Sequence, residues 1–151
     1  MSSTPPRVLI VDDSLEMART IADDLVERGY EAIAVAGGSE AVARLASGSI
    51  DAVVTDLRMP GLDGLDVLAA ARRADPPCPV IVMTAYSAID GALESIRRGA
   101  AHYLTKPFQL EELAIFLERA LDERRVRREV ATLRSLLDDL GLDRGIGRPA
   151  R

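Results

Sequence analysis

The chain has 151 residues, of which 48% are hydrophobic and 3% aromatic, and its formal net charge is −5. Residues 1–121 hold 18 acidic and 11 basic residues, a balance that argues against direct nucleic-acid binding and suits a cation site. No apolar run approaches the ~20 residues that span a bilayer, and the first residues lack a signal-peptide pattern, so we expect a cytoplasmic protein without a membrane segment.

The first predicted strand follows a short leader. We expect residues 1–6 to be flexible, and residues 7–11 form an apolar run that is typical of a strand buried on both faces. Ser14 can cap the helix that follows, because its hydroxyl can accept a free backbone N–H. Gly29 is expected to end this helix, since glycine is common just after helix ends.

The same alternation of strand and helix continues to about residue 121. Ser39 is expected to cap the second helix, the fourth helix is predicted over about 88–98, and the last helix begins near Gln109. The remaining strands are predicted over 30–35, 50–55, 80–83 and 101–104.

Five strands that alternate with five helices predict an α/β protein. Its parallel sheet would carry helices on both faces. Right-handed crossovers favour a doubly wound sheet with the strand order 2-1-3-4-5. In that order the first and third strands flank the point where the winding reverses, which is where such sheets bind ligands.

The last helix is predicted to extend beyond the domain. Leucines at helical spacing up to residue 121 suit packing on the sheet, and a second stripe follows with coiled-coil spacing. We therefore expect one domain over 7–121, a linker helix over 122–140 that can form a coiled coil, and a flexible tail over 141–151. A linker that folds back on its own domain is the alternative. The second stripe consists of Val126, Val130, Leu133, Leu137 and Leu140.

Polar residues end four of the five predicted strands. Asp12 and Asp13 follow the first strand, Asp56 the third, Thr84 the fourth and Lys106 the fifth. Because the carboxyl ends of parallel strands share one edge of the sheet, these side chains should meet in one cleft. Each residue alone could serve as a helix cap or a turn former, but the set at successive strand ends favours a shared site.

The chemistry of this set favours phosphoryl transfer. Clustered carboxylates need a cation, and oxygen ligands suit Mg²⁺. Asp56 is the candidate nucleophile that would form an aspartyl phosphate, with Asp12 and Asp13 as metal ligands. The Thr84 hydroxyl and the Lys106 ammonium can bind phosphate oxygens.

Over about residues 7–121 the sequence resembles the response-regulator receiver domain of two-component signalling. The resemblance implies a flavodoxin-like, CheY-like fold in which Asp56 accepts phosphate from a sensor histidine kinase. The protein would then be no ordinary enzyme, and would at most catalyse its own phosphorylation and dephosphorylation. The motifs that carry the resemblance are Val11-Asp12-Asp13, Thr55-Asp56-Leu57-Arg58-Met59-Pro60-Gly61, Met83-Thr84-Ala85 and Leu104-Thr105-Lys106-Pro107-Phe108.

The resemblance also implies roles for residues around the phosphoacceptor. The backbone carbonyl of Arg58 would complete the Mg²⁺ site with the three aspartates. Thr84 would reorient toward the phosphate, and Tyr103 would turn inward behind it as the second switch residue. The peptide bond between Lys106 and Pro107 would be cis.

Two segments, 83–87 and 103–108, resemble most closely the receivers of NtrC-type, sigma-54-dependent transcriptional activators. In that group an ATPase and a DNA-binding domain follow the receiver, and this chain has no Walker motif. We therefore expect that those output domains are missing from this chain, or else that it is a short regulator acting through partners. A homodimer is expected through the face formed by helix 4, strand 5 and helix 5, through the 122–140 helix, or through both.

Two other classes of protein fit the residues less well. A haloacid-dehalogenase-like phosphatase needs an acid two residues after its nucleophile, where this chain has Arg58. A flavodoxin-like flavin carrier needs a phosphate loop rich in glycine and hydroxyls after the first strand, where Asp12 and Asp13 would repel a phosphate. His102, the sole histidine, has no partner motif and is not expected to donate phosphate.

Overall fold

The computed structural model of the chain describes residues 4–141, the side chain of Tyr86 excepted. Within this part, five strands alternate with five α-helices, as the sequence predicts, and a 3-10 turn over Tyr86–Ala88 precedes α4. The strands are β1 (Arg7–Val11), β2 (Glu31–Val35), β3 (Ala52–Asp56), β4 (Val80–Ala85) and β5 (His102–Lys106). The α-helices are α1 (Leu15–Glu27), α2 (Gly38–Ala46), α3 (Gly64–Ala74), α4 (Ile89–Arg97) and α5 (Leu110–Leu140).

All neighbouring strands pair in parallel, in the order β2-β1-β3-β4-β5. The doubly wound order predicted from the sequence is therefore confirmed. The register places Val11 of β1 opposite Thr55 of β3, and Ala85 of β4 opposite Lys106 of β5. The carboxyl ends of β1, β3, β4 and β5 consequently lie along one edge of the sheet, which we call the C-terminal edge.

The sheet has an apolar core on each face. Alternate residues of a strand point to opposite faces, so Val8 and Ile10 pack with α1 and the first half of α5, whereas Leu9 and Val11 pack with α2 and α3. All four of these side chains are fully buried. This two-sided burial explains why β1 reads as an unbroken apolar run.

Two helix starts show where local signals succeed and fail. Ser14 caps α1, because its hydroxyl accepts the backbone N–H of Met17 at 3.2 Å. The prediction that Ser39 caps α2 is wrong: the helix begins at Gly38, and its cap, Gly37, makes no side-chain hydrogen bond. Gly37 has φ of 121°, a conformation that side chains disfavour, so the backbone turns two residues before Ser39.

The long helix α5 has two different halves. Its first half is anchored in the core by Leu113, Leu117 and Ala120. The second half continues without a break to Leu140 and exposes most of the predicted stripe. No helix in the described part of the chain has the length and apolar character that a membrane crossing requires. The exposed apolar residues of the second half are Val126, Val130, Leu133, Leu136 and Leu140.

The expected leader and tail fall mostly outside the described residues. Residues 1–3 of the leader and residues 142–151 of the tail are not among them. Of the described leader residues, Pro6 is held at the sheet, because its carbonyl accepts the N–H of Glu31 at 3.0 Å.

Candidate functional site

The three aspartates predicted from strand ends do meet at the C-terminal edge. Carboxylate oxygens of Asp12, Asp13 and Asp56 all lie within 4.8 Å of one another. Asp12 is buried, Asp56 is partly buried and Asp13 is exposed. Carboxylate oxygens at this spacing form a candidate site for a hard divalent cation.

The turn after β1 holds Asp12 in place. One carboxylate oxygen, Oδ1, accepts the backbone N–H of Ser14 at 2.9 Å, and the Asp12 backbone N–H donates to the Val35 carbonyl. The other oxygen, Oδ2, lies 3.2 Å from Nζ of Lys106. The two oxygens of this buried carboxylate are thus fixed by the start of α1 on one side and by β5 on the other.

Lys106 bridges two of the carboxylates. Its Nζ lies 3.2 Å from Oδ2 of Asp12 and 3.4 Å from Oδ2 of Asp56. The side chain is 31% exposed, so its ammonium can also reach a ligand in the cleft. Three carboxylates against one ammonium leave an excess of two negative charges in the cluster.

Burial and neighbouring charges together shift the pKa values of Asp56 and Lys106. Burial raises the pKa of Asp56 above its usual 3.8; the Lys106 ammonium opposes the rise and the charge of Asp12 adds to it. Burial disfavours the ammonium of Lys106, but attraction to Asp56 and Asp12 outweighs burial and raises its pKa above 10.5. Both shifts oppose further negative charge, as expected where carboxylates outnumber cations.

A glycine lets the loop after Asp56 approach α3. A Cβ atom on Gly64 would lie 2.6 Å from the Asp56 carbonyl oxygen, and the Gly64 N–H donates to the Leu57 carbonyl at 2.9 Å. Asp63 caps the helix through a reciprocal capping box. The start of α3 therefore packs directly against the residues that follow β3. The exposed Arg58 lies in this loop, two positions after Asp56.

The other predicted site residues lie on β4 and β5. Thr84 is buried, and its hydroxyl is within hydrogen-bonding distance of the carbonyls of Ala85 at 3.2 Å and Ala88 at 3.3 Å. Its oxygen therefore contacts the turn before α4. Tyr103 is half-buried and packs against the core on the α2–α3 face. The Lys106–Pro107 peptide bond is cis.

An apolar groove beside the site does not follow from the strand-end pattern. It has a volume of about 480 Å³ and runs from Lys106 along α1. Met17, which is 44% exposed, is its most prominent apolar side chain on that helix. The only sequence signal for the groove is Met17, an apolar residue on the otherwise polar side of α1. The groove is also lined by Thr20, Ile21, Met83, Pro107, Phe108 and Leu110.

Comparison with known proteins identifies the same segment. A family model described as the response regulator receiver domain matches residues 8–118. Over 131 residues the chain is 36% identical to the regulatory protein AtoC of Escherichia coli K12, covering 87% of this chain and 28% of that protein. It is 38% identical over 114 residues to the DNA-binding transcriptional regulator NtrC of Salmonella typhimurium LT2, covering 76% and 24% respectively. The chain thus spans about a quarter of the length of these two relatives.

Solved structures give the same result for the fold. A receiver domain protein from Clostridium thermocellum matches with a TM-score of 0.76 and 28% identity, over 80% of this chain and 98% of that one. The ADP complex of NtrX from Brucella abortus matches with a TM-score of 0.80 and 30% identity, over 85% of this chain and 30% of that one.

Proposed function

The chain belongs to the response regulator receiver domain family of two-component signalling, and from that premise we propose that Asp56 is its phosphoacceptor and a sensor histidine kinase its phosphodonor. The observation that carries this proposal is the meeting of three carboxylates and one ammonium at the C-terminal edge. Among the three aspartates, Asp56 is the one that ends the central strand β3, and like Asp12 it contacts Lys106. It therefore lies where a phosphoryl group could contact both the cation site and the ammonium.

The donor set fits Mg²⁺. The cluster offers only oxygen ligands, its excess charge is two, and the exposure of Asp13 leaves room for water ligands. Asp12, Asp13, Asp56 and the backbone carbonyl of Arg58 would hold the ion. Bound there, Mg²⁺ would neutralise charge on the transferring phosphoryl group.

The chain's own residues would position and balance the transfer. A carboxylate oxygen of Asp56 forms the new bond to phosphorus as the P–N bond to the donor histidine breaks, and the departing nitrogen keeps the bonding electrons. The ammonium of Lys106 would then bind the negatively charged phosphate oxygens on Asp56. This ammonium lies 3.4 Å from Oδ2 of Asp56, which supports this role, and 3.2 Å from Oδ2 of Asp12.

The switch residues are part of the same proposal. The Thr84 hydroxyl now lies at 3.2 and 3.3 Å from two backbone carbonyls, which are long distances for a hydroxyl donor. A phosphate oxygen on Asp56 would be a stronger, charged acceptor. Thr84 would therefore turn toward it and release the turn before α4, and the half-buried Tyr103 would move inward.

The groove along α1 suits the approach of the phosphodonor. It is open, mostly apolar and ends at Lys106, next to Asp56. We infer that the kinase places its histidine at Asp56 while apolar side chains of its own contact Met17 and Phe108. The exposed Met17 adapts readily to a partner surface, as flexible thioethers do.

The second half of α5 is proposed to pair two copies of the chain. Its apolar stripe is exposed, and a coiled coil would bury it. The face formed by α4, β5 and α5 would add a second contact between the two copies. Through both contacts, phosphorylation of Asp56 would control an output function in the cytoplasm. Because AtoC and NtrC are named as regulators, we propose a role in transcription, with output domains outside this chain.

Sedimentation at high protein concentration tests the pairing. We expect a dimer with or without beryllium fluoride and Mg²⁺ as a phosphoryl analogue. A monomer under both conditions would contradict the proposed dimer.

Phosphorylation by a small phosphodonor tests the phosphoacceptor. Wild-type protein with acetyl phosphate and Mg²⁺ should gain one acid-stable, base-labile phosphoryl group, and Asp56→Asn should gain none. Asp23→Asn, which removes an exposed carboxylate of α1 outside the cluster, is the matched control and should label like wild type. Equal labelling of wild type and Asp56→Asn would overturn the assignment.

A further inference from the structure

Arg124 is the only basic residue that is buried in the described part of the chain. It is 8% exposed although it lies in the charged second half of α5, beyond the leucines that anchor the helix. Its Nη1 lies 3.2 Å from Oδ1 of Asp51, and its Nη2 lies 2.5 Å from Oδ2 of Asp75. Arg128, one turn later, reaches the same Asp75 oxygen at 3.2 Å. We call these four residues the basal cluster, because they lie at the edge of the sheet opposite to Asp56.

Both acidic residues of the basal cluster are anchored through backbone hydrogen bonds of the domain. Oδ2 of Asp51 accepts the Arg7 N–H at 2.8 Å, and the Asp51 N–H donates to the Arg7 carbonyl at 2.8 Å, so this residue ties β1 to the start of β3. Asp75 is the C-cap of α3, and its carbonyl accepts the Cys78 N–H at 2.8 Å. The carboxylate of Asp51 and the backbone of Asp75 are therefore fixed independently of Arg124.

A guanidinium that contacts acidic residues on two anchored segments restricts the position of a helix more than a single ion pair does. The fork of Arg124 is planar and its donors have fixed directions. Contacts to two separate elements limit both the rotation of α5 about its axis and its tilt. In the second half of α5, Arg124 is the only buried residue described, so no other buried side chain there shares this role.

Burying Arg124 is not expected to add much to the stability of the fold. Its Nε is buried without a hydrogen-bond partner among the described residues. Moving a charge out of water is costly, and buried ion pairs often add little net stability compared with apolar residues of similar size. A buried arginine whose Nε has no partner among the described residues is better explained by the geometry that the side chain imposes.

We propose that Arg124 is the positioning residue that fixes the direction in which the second half of α5 leaves the receiver domain. The basal cluster joins this half of the helix to β3 and α3, so the exit angle is set by the rigid body of the domain. The proposal does not depend on phosphorylation of Asp56, and it applies to the monomer as well as to a dimer.

A distance distribution between two spin labels measures the exit angle directly. Labels on Ala69→Cys, in the exposed part of α3, and Ser135→Cys, in the second half of α5, report on the helix relative to the domain. The native Cys78 interferes little, because it is buried and burial raises its pKa to about 12. Dilution with unlabelled protein removes distances between copies.

We expect one narrow distance in the parent protein and a distribution at least twofold wider in Arg124→Gln. Arg124→Lys keeps the positive charge but lacks the planar guanidinium, so its distance distribution should also be wider than that of the parent. Arg125→Gln removes the neighbouring arginine, whose ion pair among residues 4–141 is with Asp122 of the same helix, and the distribution should match that of the parent.

An unchanged width in Arg124→Gln would overturn the proposal, as would equal widening in Arg125→Gln. If Arg124→Gln fails to fold, Asp75→Asn decides the matter. That variant keeps Arg124 and its contact to Asp51, so it should fold and still widen the distribution. If folded Asp75→Asn showed the same distribution width as the parent, then the proposal that the Arg124 guanidinium fixes the helix direction would be rejected.

Discussion

Replacing Asp13 by asparagine should raise the stability of the metal-free protein. Two unit charges 4.8 Å apart, the outer limit of the oxygen spacing in the cluster, repel by about 0.9 kcal/mol in bulk water and by about 3.5 kcal/mol near a protein surface. Asp13 is exposed, so the lower figure applies to its repulsion with Asp12 and with Asp56. Lost attraction to Lys106 offsets part of the gain. We expect a net stabilisation of about 1 kcal/mol, or about 2–4 °C in Tm for a chain of this size.

The same substitution should weaken stabilisation by Mg²⁺. An ion present at ten times its Kd stabilises the folded state by about 1.4 kcal/mol, and a tenfold loss of affinity reduces this to about 0.4 kcal/mol. Asp13→Asn therefore has two effects of opposite sign. If Asp13 were only a turn former and not a metal ligand, the stabilisation by Mg²⁺ would stay unchanged.

Thermal unfolding with EDTA and with Mg²⁺ measures both effects. Asp23→Asn changes the net charge by the same amount, lies outside the cluster, and should leave the Mg²⁺ shift unchanged. If Asp13→Asn failed to raise Tm in EDTA and kept the full Mg²⁺ shift, then the electrostatic account of the cluster would be wrong.

Two further predictions concern the packing and the pH dependence of the fold. Gly64→Ala should lower the free energy of unfolding in urea by about 1–3 kcal/mol, because the new Cβ would overlap the Asp56 carbonyl. The control Gly91→Ala should leave it nearly unchanged, because its Cβ meets only the flexible end of Leu57. Burial lowers the pKa of His102 below 6.5, so the unfolded chain binds its proton more tightly. The free energy of unfolding should therefore fall as the pH drops from 7.5 to 5.5, and should fall less in His102→Asn; an identical fall in both would exclude His102 as a source.

The strand-end site could be predicted from the sequence because one rule connects local pattern to position in space. Apolar runs mark the strands, and parallel strands bring their carboxyl ends to one edge. Asp12, Asp56 and Lys106 needed nothing more than this rule to be placed together. The orientation of a hydroxyl such as that of Thr84 depends on the backbone of the following turn, which the residue pattern does not specify.

The basal cluster could not be predicted in this way. Arg124 lies in a charged stretch that is typical of a solvated helix face, and its partners are 73 and 49 residues away in sequence. Nothing in the spacing of Asp51 or Asp75 marks either one as the partner of a helix. The Ser39 cap failed for a more local reason, since Gly37 can adopt a positive φ and ends the turn earlier.

The two charge clusters differ in a way that bears on how a signal could leave the domain. The cluster at Asp56 has an excess of two negative charges, so a cation or a phosphoryl group changes its balance strongly. The basal cluster pairs two carboxylates with two guanidinium groups and is already neutral. Its two carboxylates lie just before β3 and just after α3, whereas the proposed switch residues Thr84 and Tyr103 lie on β4 and β5. The proposed reorientation of Thr84 therefore begins on the half of the sheet that does not carry this anchor. Because Arg124 limits the rotation and the tilt of the second half of α5, we expect that half to keep its direction when Thr84 reorients.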